Sequence, residues 1–285
     1  MNRPAARQQG RRQRGVTLVE LVVVLTLMGV VASIGATLVG RIVAGQQDNR
    51  GRLVLASTAD VAVAGMADDL ARALPNSLRL TSNAAGVWIE TVPVLDAGRY
   101  RAAPDTVSGS PGDPLDLDNA ADNSFDVIGT VLAAGTAGKN LVFNNQGTPD
   151  ADVYSGNNRR AGIVLASGGA HVSFTAAGAL PSAPAQPRFF VVDTPVTLAC
   201  VLQVDGSYEL RRFAAYGWLA PQPASLAALA GGSNSLQLGG LVGCSAAYST
   251  ALANIGLLNL RLSAGTPGST ARMDLLHQLP VDNTP

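Results

Sequence analysis

The hydrophobic pattern changes twice along the chain, and the first change lies near the amino terminus. Residues 1–15 are polar, and an apolar segment follows at 16–40, where Glu20 is the only charge before Arg41. The uncharged run at 21–40 is long enough to cross a membrane, because about 20 helical residues at ~1.5 Å each cover ~30 Å. The pattern therefore predicts a transmembrane helix.

A second helical pattern follows over residues 46–74. Its apolar side chains recur every three or four residues, as in an amphipathic helix that packs against a sheet. They are Leu55, Ala59, Ala62, Met66, Leu70 and Ala73. Pro75 predicts the end of the helix. We therefore predict one long helix from about residue 17 to 74, with a transmembrane half (16–44) and an amphipathic half outside the membrane (45–75).

After Pro75 the hydrophobic period changes to two residues, which predicts β-strands separated by turns rich in Gly, Pro, Asn and Asp. The predicted strands are 78–80, 86–92, 141–143, 162–166, 172–174, 189–192, 196–204, 208–213, 257–262 and 273–276. The predicted loops are 103–124, 176–187 and much of 220–240. One helix followed by many strands predicts an α+β fold, in which residues 76–285 form an antiparallel sheet domain packed on the helix.

Charge is distributed unevenly along the chain. There are 20 basic and 20 acidic side chains, yet no acid precedes residue 16, whereas five arginines do: Arg3, Arg7, Arg11, Arg12 and Arg14. Residues 16–285 therefore carry a net charge of about −5, which argues against a nucleic-acid binder. The positive-inside rule places the basic end in the cytoplasm and the rest of the chain on the far side of the membrane. Because only 5 % of residues are aromatic, we expect a core built mostly from Val, Leu, Ile and Ala.

Glu20 is the residue that a plain membrane anchor does not explain. A carboxylate within a membrane segment costs about 3 kcal/mol on insertion scales and is usually retained for a partner. Through Gly15-Val16-Thr17-Leu18-Val19-Glu20, the chain resembles the type IV prepilin class. Proteins of this class have a basic leader that ends in Gly and is cleaved on the cytoplasmic side by the prepilin peptidase, after which the new amino terminus is N-methylated.

The resemblance implies that cleavage falls between Gly15 and Val16 and that Glu20 is the fifth mature residue. Val16 departs from the class, whose first mature residue is usually Phe. The resemblance further implies a pilin-like fold in which the carboxylate of Glu20 pairs with the amino terminus of an adjacent subunit. It implies as partners other pilins, the prepilin peptidase and the inner-membrane assembly platform.

Several short segments beyond the helix are similar, in their order, to the MSHA biogenesis protein MshO family of minor pilins. They include LPNS at 74–77, GRYR at 98–101, ADNSFDVIG at 121–129, YSGNNR at 154–159 and the closing residues 275–285. This resemblance implies a minor pilin of an MSHA-type pilus. Two alternatives stay open, a J-like minor pseudopilin of type II secretion and an adhesin at the pilus tip whose long loops bind a ligand.

The two cysteines, Cys200 and Cys244, are expected to form a disulfide if the domain is exported. Neither has a Cys or His partner at metal-ligand spacing, so we expect no metal site there. An acidic segment contains Asp113, Asp116, Asp118, Asp122 and Asp126, and calcium prefers such oxygen ligands. Ala120 breaks the EF-hand spacing. We therefore expect a solvated loop with Asx turns, and calcium is the alternative.

No set of residues in the sequence indicates catalysis. The only histidines are His171 and His277, and the G-x-S-x-G motif of α/β-hydrolases does not occur. We expect neither an enzyme nor a cofactor.

Overall fold

The computed structural model describes residues 15–176, 178–180, 185–252, 255–265 and 272–284. Of the predicted leader, only Gly15 lies within the described residues. The chain forms two compact units, Met1–Val54 and Leu55–Pro285, and helix α1 (Leu18–Ala71) contributes residues to both. This helix matches the predicted long helix within a few residues at each end.

The first unit contains an apolar helical span at Leu18–Val43. It comprises 26 residues with a mean hydropathy of 2.4, and none of its most apolar window is buried inside the protein. The hydroxyls of Thr26, Ser33 and Thr37 each donate to the carbonyl oxygen three residues earlier, at 2.8–2.9 Å. These hydroxyl groups are therefore satisfied within the helix, as an apolar surrounding requires.

In the second unit, the predicted apolar face of α1 is confirmed. Its members Ala59, Ala62, Met66 and Leu70 are buried, and so is Ala73 just beyond the end of the helix, whereas the side chain of Leu55 lies outside the described residues. The helix ends at Ala71. The backbone that follows pairs with another part of the chain, since the N–H of Leu74 donates to the carbonyl of Val92 at 2.7 Å.

Among the described residues, seven antiparallel strands form the first sheet. They are β1 (Arg79–Asn83), β2 (Gly86–Thr91), β10 (Val196–Leu202), β11 (Tyr208–Ala214), β12 (Ser233–Leu252), β13 (Ile255–Gly265) and β14 (Arg272–Asp282), in the spatial order β1-β2-β10-β11-β12-β13-β14. The buried face of α1 packs in one core with apolar side chains of this sheet, including Leu198, Leu210, Leu258 and Leu260. This core is aliphatic, as the composition predicts.

The second sheet, in the part of the chain that the structure describes, also has seven antiparallel strands. They are β3 (Val94–Tyr100), β4 (Ser124–Ile128), β5 (Asn140–Val142), β6 (Arg159–Arg160), β7 (Val164–Ala166), β8 (His171–Ser173) and β9 (Arg188–Val192), in the order β6-β5-β9-β3-β4-β8-β7. Its core differs from the aliphatic expectation, because it gathers five rings with neighbouring centroids 5.0–6.4 Å apart: Tyr100, Phe125, Phe143, Phe174 and Phe189.

A two-stranded ribbon connects the two sheets. β2 pairs with β10 in the first sheet, and the same two stretches of chain continue as β3 paired with β9 in the second. Pro93 and Pro195 lie at the two crossing points. Because proline lacks the N–H that a sheet ladder needs, the ladder is interrupted where the ribbon passes from sheet to sheet.

The predicted loop over 220–240 is wrong from Ser233 onward, where β12 begins. This stretch is rich in Gly and Ser, but it pairs with β11 on one side and β13 on the other. Gly240 has φ +72°, in the left-handed region that glycine tolerates. Pairing on both sides therefore overrides a low intrinsic strand propensity. The prediction also missed β3, β4 and β6.

Candidate functional site

The start of α1 contains the residues that the sequence singles out for function. Thr17 precedes the helix, and its hydroxyl accepts the N–H of Glu20 at 3.3 Å. This spacing is that of a capping box, in which Thr is the N-cap and Glu occupies the third helical position. Glu20 thus lies in the first turn, where the helix dipole favours a negative charge.

The predicted cleavage point lies just before this cap. Gly15 and Val16 have no regular secondary structure, and the side chain of Val16 is 70 % exposed. Apart from its neighbours in the chain, no atom of the described residues lies within 4 Å of the position that a Cβ on Gly15 would take. The peptide bond between them is therefore accessible from solvent, as proteolysis requires.

The span that follows exposes large apolar side chains along its length, among them Leu21, Leu25, Met28, Ile34 and Ile42. Soluble proteins rarely expose an apolar surface of this extent, so the span needs either a bilayer or other apolar helices around it.

Residues 10–36 match the family model described as the prokaryotic N-terminal methylation motif. The motif indicates a type IV pilin-like or pseudopilin protein. The matched segment contains Gly15, Val16 and Glu20 and extends well into the apolar span. The motif also indicates processing by a prepilin peptidase and association with pilins and with a membrane. No curated protein and no solved structure gave a significant match to the chain.

The two cysteines lie on strands that are not neighbours in the first sheet, Cys200 on β10 and Cys244 on β12. β12 also contacts β1 and β2, so the sheet curls and brings the two side chains together. A hydrogen bond between the Cys200 thiol and Cys244, together with burial, raises the pKa of the Cys200 thiol. Both residues are thiols in this structure, and the disulfide stays a prediction.

We predict that oxidation links Cys200 to Cys244 and stabilises the fold. Closing a loop of about 45 residues contributes at most ~4 kcal/mol in the chain-entropy model. In an oxidising buffer, wild type should therefore unfold at a higher urea concentration than the double variant C200S/C244S. Reductant should remove the difference. Two free thiols in protein recovered from an oxidising compartment, detected by mass spectrometry, would contradict the prediction.

Carboxylates of the acidic segment are engaged in hydrogen bonds. One oxygen of Asp126 lies 3.0 Å from Nδ1 of His171, and the other accepts the N–H of Asp113 at 2.9 Å. Partial burial acts to raise the pKa of Asp126, but these hydrogen bonds lower it overall. A carboxylate oxygen of Asp122 accepts the N–H of Asp116 at 2.7 Å. Among the described residues, no group of three or more His, Cys, Asp or Glu side chains is placed to hold a metal ion.

A buried carboxylate in the first sheet escaped the sequence analysis. Glu90 on β2 has no exposed surface. Its Oε2 accepts the Nε of Arg79 at 2.8 Å, and its Oε1 accepts the hydroxyl of Tyr216 at 2.7 Å. Burial raises the pKa of Glu90, while the charge of Arg79 and the hydrogen bonds oppose that rise. Arg79 lies opposite Glu90 in the β1–β2 hairpin. A prediction of the pairing register of this hairpin would therefore have brought the two charged residues together.

The Arg79 guanidinium also connects this carboxylate to aromatic side chains. Its central carbon lies 3.4 Å from the ring centroid of Tyr154, and Trp218 packs against Tyr154 with centroids 6.4 Å apart. Its Nη2 donates to the carbonyl of Leu219 at 3.1 Å. The cluster therefore ties two loops to the first sheet. Its polar groups are paired with one another, as burial demands.

Proposed function

We propose that this protein is a minor pilin that takes part in assembly of a type IV pilus of the MSHA type. The observation that carries the proposal is the methylation motif at residues 10–36, with Gly15, Val16 and Glu20 in their processing and pairing positions. The finer assignment to MSHA-type pili is supported by the order of the short segments between residues 74 and 285.

In this proposal, the prepilin peptidase cleaves after Gly15 on the cytoplasmic side and the amino group of Val16 is methylated. The arginines before Gly15 orient the chain, so that residues 16–44 cross the inner membrane and the domain beyond them is periplasmic. After extraction from the membrane, the subunit joins the pilus. The partners are other major and minor pilins, the peptidase and the inner-membrane assembly platform.

Glu20 provides the pairing group between subunits. In a filament, the apolar spans pack together away from water, where an unpaired ammonium or carboxylate is costly. The new amino terminus on Val16 and the carboxylate of Glu20 on a neighbour reduce that cost for each other when they pair. The exposure of the whole span at Leu18–Val43 supports this role, because only lipid or other spans can cover it.

A J-like minor pseudopilin of type II secretion is the second candidate, because the same motif is typical of pseudopilins. Both candidates give the chain a structural role without catalysis or a cofactor. An adhesin at the pilus tip would add ligand binding to the first candidate. The long segment between β3 and β4 would then carry the binding surface.

The experiment that tests the proposal is mass spectrometry of the chain recovered from purified filaments. This measurement identifies the cleavage point, the modification of Val16 and the kind of filament in one experiment.

A further inference from the structure

Two arginines lie directly opposite each other in the second sheet. Arg99 on β3 pairs with Arg188 on β9 in the strand register. Their neighbours Tyr100 and Phe189 are buried in the aromatic core, so the alternation of side chains along a strand puts both arginines on the other face of the sheet, where both are exposed. Like charges that face each other across two strands destabilise a sheet. We call these two residues the arginine pair.

No carboxylate of the described residues compensates this charge. Neither arginine belongs to an ion pair in the part of the chain that the structure describes. The acids on β3 and β4 have other partners: Asp96 accepts the N–H of Ala133 at 3.1 Å, and Asp126 lies 3.0 Å from Nδ1 of His171. Residues 181–184, which precede β9 and lie outside the described residues, contain no charged side chain.

A cavity of about 290 Å³ lies at the arginine pair. Its lining contains two cations and no acid, so the lining carries a charge of +2: Ala97, Gly98, Arg99, Arg188, Phe189 and Phe190. The volume is at the lower limit of ligand pockets, which fits a single side chain better than a larger ligand. Guanidinium groups match the geometry of a carboxylate and bind it with two hydrogen bonds. The cavity therefore suits the side chain of Asp or Glu.

The same chain contains a group of carboxylates without a cation. Asp116, Asp118 and Asp122 lie in the segment between β3 and β4, and the first two are exposed. Hydrogen bonds within the segment shape it, since the N–H of Asp118 donates to Asp116 at 3.1 Å and the N–H of Asp116 donates to Asp122 at 2.7 Å. None of the three carboxylates forms an ion pair with another described residue. We call these three residues the acidic turn.

The arginine pair and the acidic turn have opposite charges, and like charges within each group repel one another. They form no ion pair with each other within one copy, whereas contact between two copies would relieve the repulsion in both groups. Ile128 lies directly opposite Arg99 on β4 and is 44 % exposed, so it adds apolar surface beside the arginine pair. A nucleic acid suits the site less well, because residues 16–285 carry a net charge of about −5.

We propose that this face of the second sheet binds a second copy of the chain, with carboxylates of the acidic turn of one copy in the cavity at the arginine pair of the other. The occupant is a second copy because every copy carries both groups and neither group is neutralised within its own copy. The contact does not depend on the kind of filament that the chain joins.

Two double variants of the full chain, solubilised in detergent, provide a reciprocal test. R99E/R188E makes the arginine pair negative, and D116R/D118R makes the acidic turn positive, so each variant alone sets like charges against each other. Analytical ultracentrifugation should show self-association of wild type that is weakened about tenfold or more in either variant. A mixture of the two variants should recover the wild-type association, because each variant then meets the opposite charge.

R261E/R272E is the matched control. It reverses two arginines on β13 and β14 of the first sheet and leaves the arginine pair and the acidic turn unchanged, so it should associate as wild type does. The apolar span is the same in all these proteins, so association through the span would not distinguish them. Tryptophan fluorescence checks folding. If a double variant fails to fold, R188E or D118R replaces it, with the same expected direction.

Three results would overturn the inference: a wild type that stays monomeric, equal association of wild type and R99E/R188E, or a mixture of the two variants that does not associate. Each of them leaves the proposed function in place, because that function is tested by the processing of the chain and its recovery from filaments. Absence of the chain from every filament preparation would instead contradict the proposed function and leave the contact between copies unaffected.

Discussion

Replacing Glu20 with Ala is expected to leave the protein cleaved and in the membrane but to reduce its incorporation into filaments at least tenfold. Removal of one partner from a buried ion pair typically costs about 3–5 kcal/mol, because the other charge stays buried and unpaired. Here the remaining charge would be the ammonium of Val16 on a neighbouring subunit. The measurement is the amount of the chain in sheared filaments relative to the membrane fraction.

The structure shows why the Ala variant is a clean test. The hydroxyl of Thr17 bonds to the backbone N–H of Glu20, which Ala retains, so the start of α1 is preserved. Thr26→Ala is a suitable control, because it also changes a polar side chain in the span but removes only a bond within its own helix. That control should incorporate as wild type does. Wild-type amounts of Glu20→Ala in filaments would contradict the pairing role.

Replacing Glu90 with Ala is expected to lower the free energy of unfolding by about 3 kcal/mol, because it leaves Arg79 and Tyr216 without their buried acceptor. The measurement is urea unfolding of the full chain in detergent. Trp88 is a suitable fluorescent probe because it is fully buried on the same strand.

Glu209→Ala provides the matched control for this prediction. Glu209 also pairs with an arginine, Arg211 at 2.8 Å, in the same sheet, but both side chains are partly exposed. Exposed pairs contribute only about 0–1 kcal/mol, so the control should unfold near the wild-type midpoint. A loss of stability in Glu90→Ala no larger than in Glu209→Ala would contradict the buried cluster's role.

The pH dependence of the free energy of unfolding also tests the role of Glu90. Burial raises the pKa of Glu90 above its ordinary value of 4.5, so the folded chain holds this proton more tightly than the unfolded chain does. The stability from this group is therefore fully present below pH 4.5 and is lost as pH rises through the folded pKa. A Glu90→Gln variant should lack that part of the pH dependence.

The parts of the fold with strong local signals were predictable. The membrane span and the buried face of α1 follow from hydrophobic period, and most central strands follow from alternation and flanking turn residues. β12 was missed because its Gly- and Ser-rich sequence has little strand propensity. Its strand conformation comes from pairing with β11 and β13, partners far away in sequence.

The candidate site also has one part that sequence can predict and another that it cannot. Gly15, Val16 and Glu20 form a local motif, so their roles could be predicted from the sequence alone. The cluster of Glu90 and Tyr216 joins residues far apart in the chain, and composition cannot show such a contact.

The central claim is that this chain is a processed subunit of a pilus, and intact-mass and peptide analysis of purified filaments tests it most directly. Our account predicts a mature chain that begins at Val16, carries a methylated amino group and copurifies with type IV pili. In cells without the prepilin peptidase, the same chain should keep its leader and stay in the membrane. A chain that retains its leader in wild-type cells, or that never occurs in any filament, would contradict the account.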